Sequence, residues 1–169
     1  MPNSAFPSPN ALHEAGHFVV AAFLNPAAPV AAELAAGSDD GQPYAGTAYY
    51  DPASYTRAQL AMISAAGMVA VTIAAMLTGA RPTPEQAFAL MSPSDWRNCH
   101  ENPLNPSAVF IDALQPARDL LVLNWPCVIE IARQLDRHGC AYNLVAAEMA
   151  SRLPDRDPAA YPPAGVTIH

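Results

Sequence analysis

From Leu60 to Gly79 the chain runs for twenty residues without a charged side chain. As a helix this segment spans about 30 Å, the thickness of a bilayer's hydrocarbon core, so it belongs either in lipid or in the middle of a protein. Its composition favours protein: six alanines, Gly67, Gly79, Ser64 and two threonines leave few strongly lipophilic side chains. The flanking Arg57 and Arg81 supply no charge asymmetry to orient a span. The expectation is a buried core helix, opened by the capping box Thr56-Arg57-Ala58-Gln59 and closed at Gly79, with a membrane span unlikely.

The remaining signals are mostly helical. Ser8-Pro9-Asn10 offers an N-cap and a proline in the first turn, predicting a helix that runs to about Leu24 before Asn25-Pro26 stops it. Residues 26–43 read as a turn-rich loop between short strands, with one strand over Ala31–Ala35 and a second over Tyr44–Tyr50 that ends at Asp51-Pro52. Thr83-Pro84 and Ser92-Pro93 each predict a short helix. Helical spacing then continues from Val109 through Leu135, with Pro116 and Pro126 starting or kinking helices and Gly139 terminating. A last helix is expected over Ala141–Leu153. The fold class is thus mainly α: a single helical domain over residues 8–153, with a small antiparallel β element beside the first helix. Tails flank it at 1–7 and, rich in proline, at 154–169.

Composition narrows the function classes. The net charge of −7 leaves no electrostatic footprint for nucleic acid. Three widely spaced cysteines, Cys99, Cys127 and Cys140, argue against a disulfide framework and fit a reducing compartment. No basic region followed by an apolar stretch opens the chain, so cytoplasmic residence is expected.

The chemistry-bearing feature is His13-Glu14-Ala15-Gly16-His17. Side chains four apart on a helix share one face, so His13 and His17 can direct two imidazoles to one ion, with Glu14 beside them as a base. Zinc accepts neutral imidazole nitrogen, and a catalytic zinc site needs a third protein ligand and an open position. Spacing alone does not select that ligand; among downstream residues, Cys99, His100 and Glu101 are chemically acceptable. Gly16 inside the helix costs about 1 kcal/mol relative to alanine, and close approach of the Ala65-Ala66-Gly67 segment would explain it.

The run His13-Glu14-Ala15-Gly16-His17-Phe18-Val19-Val20-Ala21 resembles the H-E-A-G-H-A-x-x-A signature of the peptidase domain of FtsH-type zinc proteases. The order of later segments is similar too: a strand region, a small-residue helix holding Ala65-Ala66-Gly67, an aspartate near a helix start in Ser94-Asp95-Trp96, and a C-terminal helical segment through Leu135. The resemblance implies Asp95 as the third ligand to Zn2+, in preference to Cys99, His100 and Glu101. It also implies a metallopeptidase in which Glu14 activates a zinc-bound water against a peptide bond.

Tyr44 to Tyr50, including Tyr44, Ala45, Gly46 and Thr47, is the candidate strand for aligning an extended polypeptide substrate by main-chain hydrogen bonds, with an ordinary structural strand as the alternative. No ATPase module precedes the motif in this sequence. Flexible or unfolded polypeptides are therefore the expected substrates, and any unfolding ATPase or regulatory protein would be a separate partner. The family's small-residue helix carries a glutamate shortly after its glycine, whereas Gly67 is followed by Met68-Val69-Ala70-Val71. That departure raises the alternative of a catalytically inactive zinc-binding or interaction module on the same fold.

Overall fold

The structure, a computed structural model, describes residues 6–34, 37–39, 42–44 and 46–142. Helix α1 (Pro9–Leu24) starts where Ser8 Oγ accepts a hydrogen bond from Ala11 N. Ser8 is itself held by Asp136, whose carboxylate accepts from Ser8 N at 2.9 Å and from Ser8 Oγ at 2.6 Å. Helix α2 (Arg57–Leu77) opens with the capping box expected of Thr56 and Gln59. The two helices run antiparallel, since contacts step in opposite directions along them: Tyr55 Oη donates to Ala21 O at 3.1 Å, and further along His17 Nδ1 meets Ile63 O at 2.7 Å.

Helix α2 packs against α1 on one side and α5 (Ala108–Leu123) on another, while α6 (Trp125–His138) packs against α1. By length and composition α2 could cross a membrane, but 61% of its apolar stretch is buried inside this protein. Its far end is not covered: Met76 and Leu77 are exposed. Phe18, Met62, Ile63, Phe110, Leu120, Ile131 and Leu135 form the centre of the core. The short helices α3 (Pro84–Phe88) and α4 (Pro93–Asn98) are tied to α5 by an aromatic cluster of Phe88, Trp96 and Phe110, with ring centroids 5.0 to 6.3 Å apart.

The fold is therefore mainly α with a small antiparallel sheet beside α1, as the residue patterns imply. In that sheet β1 (Val30–Glu33) lies between β4 (Thr47–Tyr50) and β5 (Cys140–Tyr142). Three expectations fail here. The continuous strand over Tyr44–Tyr50 is broken: Tyr44 ends β3 (Gln42–Tyr44), which pairs with β2 (Gly37–Asp39), whereas Thr47–Tyr50 pairs with β1. The change of pairing partner, which no local pattern records, divides the segment, and residues 37–39 are strand where a loop was expected. Nor does a helix begin at Ala141, because that residue pairs with Ala32 in the sheet; the remainder of the expected helix, and both tails apart from residues 6 and 7, lie outside the described residues. Proline behaves differently at its two sites: Pro126 sits in the first turn of α6, while α5 continues through the buried Pro116.

Candidate metal centre

One face of α1 carries His13 and His17, and α4 brings Asp95 to them. His13 Nε2 lies 3.2 Å from Asp95 Oδ2, His17 Nε2 lies 3.1 Å from Asp95 Oδ1, and the two Nε2 atoms are 3.0 Å apart. Donor atoms of a tetrahedral zinc site with bonds of about 2.0–2.1 Å stand about 3.3 Å from one another, so this triangle needs only slight expansion to hold the ion. The donor set, two imidazoles and a carboxylate, also suits zinc. Among the described residues this is the one His, Cys, Asp and Glu grouping with such convergence.

Each donor is oriented by a neighbour. His17 Nδ1 donates to the Ile63 carbonyl, which in the neutral ring leaves Nε2 as the lone-pair nitrogen facing the cluster. Asp95 closes a capping box: its backbone N donates to Ser92 Oγ at 3.1 Å, and its Oδ2 accepts from Ser92 N at 2.8 Å. The helix-start signal in Ser92-Pro93-Ser94-Asp95 and the carboxylate facing the histidines are thus the same residue performing two tasks. The three residues expected to compete with Asp95 do not join the cluster. Cys99 Sγ is buried against the carbonyls of Asp95 and Trp96; Glu101 accepts from Ser107 and pairs with Arg57 at 3.4 Å; His100 is exposed, with a left-handed φ of 58°.

Burial sets the electrostatics. Burial alone would lower the pKa of His17, but the Asp95 charge and hydrogen bond, with Glu14 and the Ile63 carbonyl, lift it to about 9. Burial would raise Asp95, yet the two histidines hold it well below the usual carboxylate range. Glu14, only 7% exposed, is raised above the ordinary glutamate value by desolvation, with the histidines opposing and Asp95 reinforcing the shift. His17 thus favours its protonated form when no metal competes for the ring.

A cleft of about 920 Å³ opens over the cluster. Its walls include His13, Glu14, His17 and Asp95, the segment from Gly46 to Ala48, Tyr50, Val71, and the connection from Ala89 to Ser94. Gly46 and Thr47 therefore face the site, while Tyr44 belongs to the other strand pair and Ala45 lies outside the described residues. Strand β4 has β1 on one side and, among the described residues, no strand on the other. Tyr50, half-buried on β4, has its hydroxyl pushed up to about 12 by burial.

Several contributors act without a side chain of their own at the site. The Ile63 carbonyl is a backbone atom, and Gly46 and Gly67 act by what they lack. A Cβ at Gly46 would stand 2.6 Å from Glu14 Cγ and 2.9 Å from Glu14 Oε1. A Cβ at Gly16 would stand 2.5 Å from the Ala66 carbonyl oxygen, so close approach of the small-residue segment is the packing reason for that glycine. The sequence matches no known protein family and no curated protein.

Proposed function

We propose that this chain is a zinc-dependent metalloendopeptidase acting on flexible or unfolded polypeptides. The observation that carries the reading is the convergence of His13, His17 and Asp95 on one point at the floor of a cleft, with the buried Glu14 alongside. His13 Nε2, His17 Nε2 and a carboxylate oxygen of Asp95 would hold the ion. Zinc at that point supplies Lewis acidity, which acidifies water and polarises a carbonyl.

The chain's own groups account for the rest. On the side of β4 away from β1, where among the described residues no strand lies, an extended peptide would add itself as a further strand and lay its scissile bond along the cleft. The carboxylate of Glu14 takes a proton from the attacking water and returns it to the leaving amide nitrogen. Desolvation makes this carboxylate a stronger base than an exposed glutamate, as that transfer requires. A folded substrate would have to be opened before its chain could enter the cleft as an extended strand.

One observation favours a second reading, an inactive zinc-binding module: Val71, in the stretch where FtsH-type peptidases carry a glutamate, faces the cleft. Zinc content and cleavage of an unfolded protein such as casein separate the two. The expected result is one zinc per chain, chelator-sensitive cleavage restored by zinc, and a loss of about 10²–10⁴-fold in Glu14→Gln with zinc retained. Stoichiometric zinc without cleavage would favour the inactive module, and zinc content unaltered in His17→Ala would defeat both.

A further inference from the structure

A Cβ placed on Gly67 of α2 would lie 2.5 Å from His17 Nε2, and 2.7 Å from both Cε1 and Nε2 of His13. Non-bonded heavy atoms settle at about 3.5–4.0 Å, so an alanine at 67 and the observed rings cannot coexist. We propose that Gly67 is the positioning residue of the centre: a bare point on α2 that lets two imidazoles from α1 converge on one ion.

The nature of the overlap decides what a side chain would disturb. At Gly16 the intruding atom meets the backbone of Ala66, and relief would require moving whole helices. At Gly67 it meets the ends of two histidine rings, so relief would turn the rings out of their contacts with Ile63 and Asp95 and leave the helix backbones in place. The fold survives that movement, but the donor triangle with sides of 3.0 to 3.2 Å does not. A second contact argues the same way. Ile63, whose carbonyl fixes His17 Nδ1, lies four residues before Gly67 and so one helical turn away. One turn of α2 thus anchors His17 by an acceptor at one end and makes room for its ring at the other.

The metal consequence rests on the zinc reading above; the steric relation between Gly67 and the rings does not. The test therefore has two arms. In calorimetric zinc titrations of the full chain, Gly67→Ala is expected to weaken binding by about 10–100-fold while the helical circular dichroism is kept. In chelator-treated protein, Gly67→Ala is compared by thermal melting in the native background and in His13→Ala/His17→Ala.

With the rings present the substitution should lower Tm. With the rings removed it should raise Tm by about 2–4 °C, because alanine is the better helix former once there is room. The double background also decides the matter if Gly67→Ala alone does not fold, since rescue by ring removal is then the expected result. Native zinc affinity in Gly67→Ala, or the same loss of Tm (or of folding) with and without the rings, would overturn the proposal. A native chain that binds no zinc would defeat the peptidase reading and leave the melting arm to judge Gly67.

Discussion

At the scale of single residues, the site divides into groups that act by their chemistry and groups that act by leaving space. Gly46 is of the second kind: it presses backbone against Glu14, so Gly46→Ala should push the carboxylate aside at its flexible end. Cleavage of casein is then expected to fall about 10²-fold through kcat, with zinc stoichiometry and Tm near those of the native chain. An unchanged kcat would show that Glu14 does not need this support. His13 and His17 were legible because a spacing of four places them on one helical face, and Glu14 because it directly follows the first of them. Asp95, 82 residues from His13, was not, since nothing local to it records where α4 docks; only resemblance to a known peptidase pointed to it. Gly46 was legible only as part of a substrate-aligning strand and Gly67 only within a small-residue segment, because their contacts with Glu14 and the histidines are made between different elements.

At the scale of elements, the capping signals were the most readable part of the chain: Ser8, Thr56, Thr83 and Ser92 all accept a hydrogen bond from the first turn of a helix. Strands were read poorly, because β2, β3, β4 and β5 are only three or four residues long and owe their conformation to partners elsewhere in the sequence. The α1–α2 pairing gives the sharpest expectation at this scale. Gly16→Ala replaces a poor helix residue with the best one, yet its Cβ would meet the Ala66 carbonyl carbon at 2.9 Å and the Ala70 Cβ at 2.9 Å. Overpacking of a rigid contact costs about 1–3 kcal/mol, which outweighs the helical gain of about 1 kcal/mol or less. Denaturant titration should find the variant destabilised; a stabilised one would mean that the two helices can separate freely.

At the scale of the whole molecule, the cluster links stability to pH in opposite senses with and without metal. Without metal, the folded His17 holds its proton up to about 9 against an ordinary value of 6.5, so its contribution is complete below 6.5 and is lost as pH rises through 9. The depressed pKa of Asp95 contributes above its ordinary value of 3.8 and is lost as pH falls. Melting in chelator should therefore show a Tm that declines from pH 6.5 to 9, while the extra Tm conferred by zinc grows over the same interval as the competing proton leaves. A chelated Tm that rises across that window would contradict the His17–Asp95 pairing. The long-range ties have a consequence for synthesis. Ser8, at the head of the metal-binding helix, is held by Asp136, 128 residues later, and β1 receives its second neighbour only from Cys140–Tyr142. Since chains emerge from the ribosome N-terminus first, the histidines are made early but wait for almost the entire described chain before their helix is clamped at its start and the sheet beside it is complete. A nascent chain that has released α1 but not yet Asp136 and Cys140–Tyr142 therefore carries His13 and His17 without their final scaffold.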